Sequence, residues 1–73
     1  MVAYRKGEYV AWNWGNGTAK GKVKDHWAEE VTKTIDGSEI TRKGEEGNEA
    51  FLIEQDDGSQ VMKLASELHK PED

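Results

Sequence analysis

The chain contains no cysteine, so a disulfide framework and a thiolate metal site are both excluded. Proline occurs once, at Pro71, within the terminal Lys70-Pro71-Glu72-Asp73. No apolar run approaches the ~20 residues of a membrane-spanning helix. The opening residues, Met1 to Gly7, lack the apolar stretch of a secretory signal. These absences lead us to expect a cytoplasmic protein with no membrane association. Only two histidines are present, His26 and His69, and no spacing brings them together. No glycine-rich phosphate loop, metal-ligand cluster or nucleophile motif occurs. Asp56-Asp57-Gly58 lacks the alternating ligands of a calcium loop and reads as a hairpin turn. The expectation is a protein that is not an enzyme and holds no cofactor or metal.

What remains is a chain of 73 residues with a net charge of −5, expected to form one domain and to exist as a monomer. The ordered core should cover about residues 4–68, with 69–73 as a frayed tail. A domain this small buries only about 60% of its unfolded surface, so a few large side chains must supply the core. Tyr4, Tyr9, Trp12, Trp14, Trp27 and Phe51 are the candidates. The acidic total opposes phosphate backbones and lowers the expectation of nucleic-acid binding.

Glycine with Asn or Asp punctuates the chain at Gly15 to Gly17, Asp36-Gly37, Gly44 to Gly47 and Asp56 to Gly58. Runs of Val, Ile, Thr, Trp and Phe lie between, the pattern of an all-β barrel of about five short strands. A two-residue Asn16-Gly17 turn would pair Trp14 with Ala19, Trp12 with Gly21 and Val10 with Val23. The apolar side chains then share one face, while Tyr9, Ala11 and Asn13 lie against Lys24, Lys22 and Lys20 on a wet one. A two-residue Asp57-Gly58 turn would set Ile53 against Met62 and Phe51 against Leu64. For the middle hairpin, a four-residue turn from Asp36 to Glu39 is preferred over a two-residue one. The stretch Lys43 to Glu49 reads as a mobile loop. Ala65 to Leu68 reads as one short helical turn with Ser66 as cap.

Gly7-Glu8-Tyr9-Val10-Ala11-Trp12-Asn13-Trp14, followed by Gly17 and Gly21-Lys22-Val23, resembles the opening of small Tudor and related SH3-like barrels. Three later segments are more particular: Val31 to Arg42, Phe51 to Gly58, and Val61 to Leu64 with Ser66-Glu67-Leu68. In this order they resemble the hypervirulence-associated protein Tudor domain family, over about residues 4–68. The resemblance implies a small, strongly bent Tudor-type barrel and a non-catalytic binding or interaction domain. It brings no catalytic residue and no cofactor. Tudor relatives often hold methylated lysine or arginine in an aromatic cage, but fold alone does not fix function.

Three surfaces are candidates. Tyr9, Trp14, Trp27 and Phe51 could converge as a cage for a cationic side chain, or could simply be core and rim. Lys20, Lys22, Lys24 and His26 alternate along one strand with Tyr9 and Asn13 beside them, the elements of a single-stranded nucleic-acid face. The alternative for that stripe is a solvated face whose lysines discourage aggregation. An exposed strand edge near Val31 to Arg42 could accept a strand from a partner protein or peptide, the expected class of partner.

Overall fold

The structure, a computed structural model, describes residues 4–71. It is all-β with a single short 3-10 turn, and the strands form a curled half-barrel of Tudor type. Six strands occur among these residues: β1 (Tyr9–Trp14), β2 (Gly17–Trp27), β3 (Glu30–Ile35), β4 (Ser38–Lys43), β5 (Ala50–Glu54) and β6 (Gln60–Leu64). The order β1-β2-β5-β6 makes one sheet and β3-β4 a second. The count is six rather than about five because β2 leads through Ala28 and Glu29 into β3, and β4 through Gly44 towards β5. The two ladders thus form one long ribbon, bent at that corner. Gly44 donates its N–H to Glu29 O (3.2 Å) there. A β-carbon on Gly44 would stand 2.5 Å from Trp27 O, so only glycine lets the two backbones meet.

The first hairpin keeps its predicted faces with different partners. Trp14 pairs with Gly17, Trp12 with Ala19 and Val10 with Gly21. The turn is Gly15-Asn16, with positive φ (+48°) at Gly15 alone, the residue order a type II′ turn uses. A shift of two preserves which side chains face inward, so alternation cannot separate the two turns. Trp12 is buried and Lys22 exposed.

The other two hairpins correct the sequence reading. Asp36 (φ +51°) and Gly37 (φ +80°) form a two-residue type I′ turn in place of the expected four-residue one. Ile35 therefore pairs with Ser38, and Thr32 with Thr41, whose hydroxyls meet at 2.8 Å. Between β5 and β6 the loop has three residues, Asp56 to Gly58, with Gly58 at φ +88°. Gln55 donates its N–H to Ser59 O (2.8 Å) across it. The added residue moves the register by one: Ile53 faces Val61, Phe51 faces Lys63 and Leu52 faces Met62. Met62 is thereby turned away from Phe51 and Ile53.

The core inside the half-barrel is Tyr4, Val10, Trp12, Val23, Phe51, Ile53 and Leu68. Phe51, Ile53, Val10 and Val23 are fully enclosed. Each contributes roughly 1.5–3 kcal/mol relative to an exposed side chain. Tyr4 meets Phe51 edge-on, ring centroids 5.6 Å apart. The segment Lys43 to Glu49 is closed rather than loose. Glu45 and Asn48 exchange backbone hydrogen bonds of 3.0 and 2.9 Å around Glu46-Gly47, and Glu49 is buried. The 3-10 turn Ala65–Glu67 is capped by Glu67, whose carboxylate accepts the Leu64 N–H at 2.8 Å. Ser66 instead donates its N–H to Asn48 Oδ1 (2.8 Å).

Candidate binding surface

The outward face of the β1–β2 ribbon carries Tyr9 opposite Lys22, Ala11 opposite Lys20, and Asn13 opposite Thr18. Ala11 is the small member of this face and lies almost wholly buried, because the chain after the 3-10 turn runs over the β1 edge beside it. Leu68 anchors that segment in the core. His69 then exchanges two backbone hydrogen bonds with Ala11, of 2.8 and 2.9 Å. The residues His69 to Pro71, expected as frayed tail, are thus the wall of a groove. Glu72 and Asp73 lie outside the described residues.

Two adjoining clefts result. One, about 580 Å³, is lined by Ala11, Asn13, Thr18, Lys20, His69 and Pro71. The other, about 480 Å³, is lined by Tyr9, Lys20, Asp56, Lys70 and Pro71. Lys20 and Pro71 border both, so the clefts read as one groove across the strands. Tyr9 is 47% exposed, and Lys22 Nζ stands over its ring, 5.6 Å from the centroid.

Several cations at and near this face are already paired. Lys24 meets Glu54 at 3.6 Å, Lys70 meets Glu8 at 3.2 Å and Lys6 meets Asp25 at 3.6 Å. Such exposed pairs are worth about 0–1 kcal/mol each. The Arg5 N–H, 3.0 Å from Glu8 Oε1, together with Lys70, holds the Glu8 carboxyl below its ordinary pKa. The Arg5 contact ties the start of the described chain to Glu8, and Lys70 ties on its end. Among the described residues, Lys20 and Lys22 make no ion pair.

The stripe is shorter than its spacing suggested. A bulge between Val23 and Asp25 inserts Lys24 and reverses the alternation beyond it. His26 consequently pairs with Phe51, the rings 5.6 Å apart, and leaves the outward face. Lys20, Lys22 and Lys24 remain on it, all exposed.

The four aromatics of the cage reading are not brought together. Phe51 is fully enclosed in the core. Trp14, 62% exposed at the hairpin tip, lays its indole over Gly17, where an added β-carbon would be 3.7 Å from the ring. Trp27 is half-buried with Lys33 Nζ at 4.9 Å from its ring centroid, so the chain's own ammonium covers that face. Tyr9 belongs to the opposite side of the ribbon from Trp14. The ring–ring contacts among the described residues involve Phe51 with Tyr4 and with His26. Thr18, Asp56, His69, Lys70 and Pro71 are groove residues that the sequence reading did not place at a site. Their one signal was Ala11, an apolar residue on a wet face that needs cover.

Comparison with curated proteins gave no match, and comparison with solved structures gave none. A family model described as the hypervirulence associated proteins TUDOR domain matches residues 7–68. The match takes in every strand from β1 to β6, the bend and the 3-10 turn that sends Leu68 into the core. The chain belongs to the hypervirulence-associated protein Tudor domain family.

Proposed function

We propose that this chain is a non-catalytic binding module, and that the outward groove of the β1–β2 ribbon receives single-stranded nucleic acid. One observation carries the reading: two clefts adjoin on the lysine face and share Lys20, with the Tyr9 ring at one end. An extended strand laid across them would stack a base on Tyr9 and set phosphates near Lys20 and Lys22. Asn13 and Thr18 supply neutral hydrogen-bonding groups at the other end. Because Lys24 and Lys70 are engaged by Glu54 and Glu8, two cations are free for phosphates, and binding is expected to be weak. A dissociation constant on the order of 10⁻⁴ M at moderate salt fits a sequence-independent contact of this kind.

The test is fluorescence anisotropy of a labelled single-stranded oligonucleotide over a salt series. Two phosphate contacts give a slope of log K against log salt near about −1.4. Tyr9→Ala should cost about 1 kcal/mol, roughly fivefold in affinity. Lys20→Glu should weaken binding further and flatten the slope. A flat titration at low salt, or binding that ignores salt, removes the proposal.

A further inference from the structure

β3 pairs with β4 on one side only, and the ladder identifies what its other side offers. Gly44 donates its N–H to Glu29 O at 3.2 Å, which marks Glu29/Gly44 as a hydrogen-bonded pair at the end of that ladder. Antiparallel pairs alternate between hydrogen-bonded and non-hydrogen-bonded. Val31, Lys33 and Ile35 therefore bond to β4, while Glu30, Thr32 and Thr34 turn their N–H and C=O groups outward. The Thr32–Thr41 hydroxyl contact of 2.8 Å agrees, since side chains approach most closely in non-hydrogen-bonded pairs. Glu30, Thr32 and Thr34 are all exposed. The outer strands of the larger sheet are covered instead: His69 bridges to Ala11 on β1, and β4 lies against β6, where Met62 is buried.

Strand edges that must stay single are commonly blunted by proline, a bulge or an inward charge. β3 has no proline, and its register against β4 runs without a shift from Glu30 to Ile35. Its charges instead suit a second β3 running the opposite way. Glu29, still in the ladder through its carbonyl, shares a face with Val31 and Lys33. Among the described residues neither Glu29 nor Lys33 makes an ion pair, and the Lys33 ammonium meets only the Trp27 ring, 4.9 Å from its centroid. Outward backbone groups must meet outward groups, so a two-fold axis relating two such strands passes through a residue, never between two. An axis at Lys33 would oppose two lysines, and one at Thr32 would set Lys33 against Val31. An axis at Val31 sets that residue against its own copy and Glu29 against Lys33 twice. Glu30 and Thr32 then exchange backbone hydrogen bonds across the seam.

We propose that the β3 edge receives the β3 edge of a second copy of this chain, antiparallel about a two-fold axis at Val31. The contact is isologous and joins the two β3–β4 hairpins into one continuous sheet. One short strand pair buries far less than a standard interface, so self-association requires concentrated protein. The dilute chain stays the monomer expected from its sequence. None of these residues lines the nucleic-acid groove, so the two surfaces are independent.

The test is a dilution series of the whole chain, followed by NMR translational diffusion and amide exchange up to millimolar protein. Slower diffusion and slower exchange at Glu30 and Thr32 are expected as concentration rises. Glu29→Lys and Lys33→Glu, each alone, should weaken self-association roughly two- to thirtyfold, because each turns two attractive cross-strand pairs into repulsive ones. An equimolar mixture of the two variants should associate as the parent does, since every opposed pair is again of opposite charge. Thr32→Pro removes an outward N–H and should abolish the association. All three positions are exposed, and the spectra report whether each variant keeps the fold. Diffusion and exchange that ignore concentration overturn the proposal. So does a mixture that associates no better than either variant alone, or undiminished association of Thr32→Pro.

Discussion

Gly21 passes so close beneath β5 that a β-carbon on it would stand 2.6 Å from the Glu54 carbonyl oxygen and 2.7 Å from Ile53 Cγ2. No residue but glycine permits this approach, and it places Lys22 opposite Glu54 on the outward face. Gly21→Ala must therefore move a backbone. A loss of about 2–3 kcal/mol, read as a lower urea midpoint, is the expected outcome. A variant as stable as the parent would mean that β2 and β5 lie farther apart.

Glu49 is buried, and its Oε1 has no hydrogen-bond partner among the described residues. An enclosed, unsatisfied carboxylate oxygen costs free energy that an apolar side chain of similar length does not. Glu49→Met is expected to raise stability by about 1 kcal/mol at neutral pH, measured by urea unfolding. A comparable loss would show that the carboxylate makes an interaction that outweighs its burial.

Asp36 holds a φ of +51° at the first position of the β3–β4 turn. Asparagine tolerates this region, whereas a β-branched residue does not. Asp36→Asn should leave stability unchanged, and Asp36→Val should lower it by about 1–2 kcal/mol. Equal stability of the two variants would contradict the turn type.

Three carboxylates have pKa values below their ordinary ones. The Arg5 N–H and Lys70 lower Glu8, the His26 N–H and Lys6 lower Asp25, and the Ser59 hydroxyl and N–H lower Asp57. A group depressed on folding stabilises the fold above its unfolded pKa, and that contribution disappears as pH falls through the folded value. Stability should be level from neutrality down to about pH 4.5 and decline below it. A triple variant, Glu8→Gln with Asp25→Asn and Asp57→Asn, should decline less steeply. An identical acid profile would assign the loss to other groups.

Side-chain facing in the first ribbon was legible because Val10, Trp12 and Trp14 alternate with Tyr9, Ala11 and Asn13, and a shift of two leaves that alternation intact. Beyond Val23 it was not. The Lys24 bulge and the third turn residue ahead of Gly58 each insert one residue, and one residue reverses the facing of all that follows. His26 and Met62 were misplaced for that reason. Neither insertion leaves a mark in composition, because lysine suits a bulge as well as a strand, and Asp-Gly suits turns of either length. The aromatic cage failed to assemble on similar grounds. A core this small consumed Phe51, and Lys33 reached Trp27 first. The groove was legible in its strands, through Tyr9, Lys20 and Lys22, and hidden in its wall. Nothing in His69-Lys70-Pro71 announces that its backbone will pair with Ala11.

The most direct measurement is an ¹⁵N-resolved NMR titration of the whole chain with a short single-stranded oligonucleotide at low salt. Shift changes gathered at Tyr9, Asn13, Thr18, Lys20, Lys22 and His69, and reversed by added salt, are the expected result. No change at these amides, or changes spread over the opposite face around Trp14 and Gly17, would contradict the assignment of the outward groove as the binding surface.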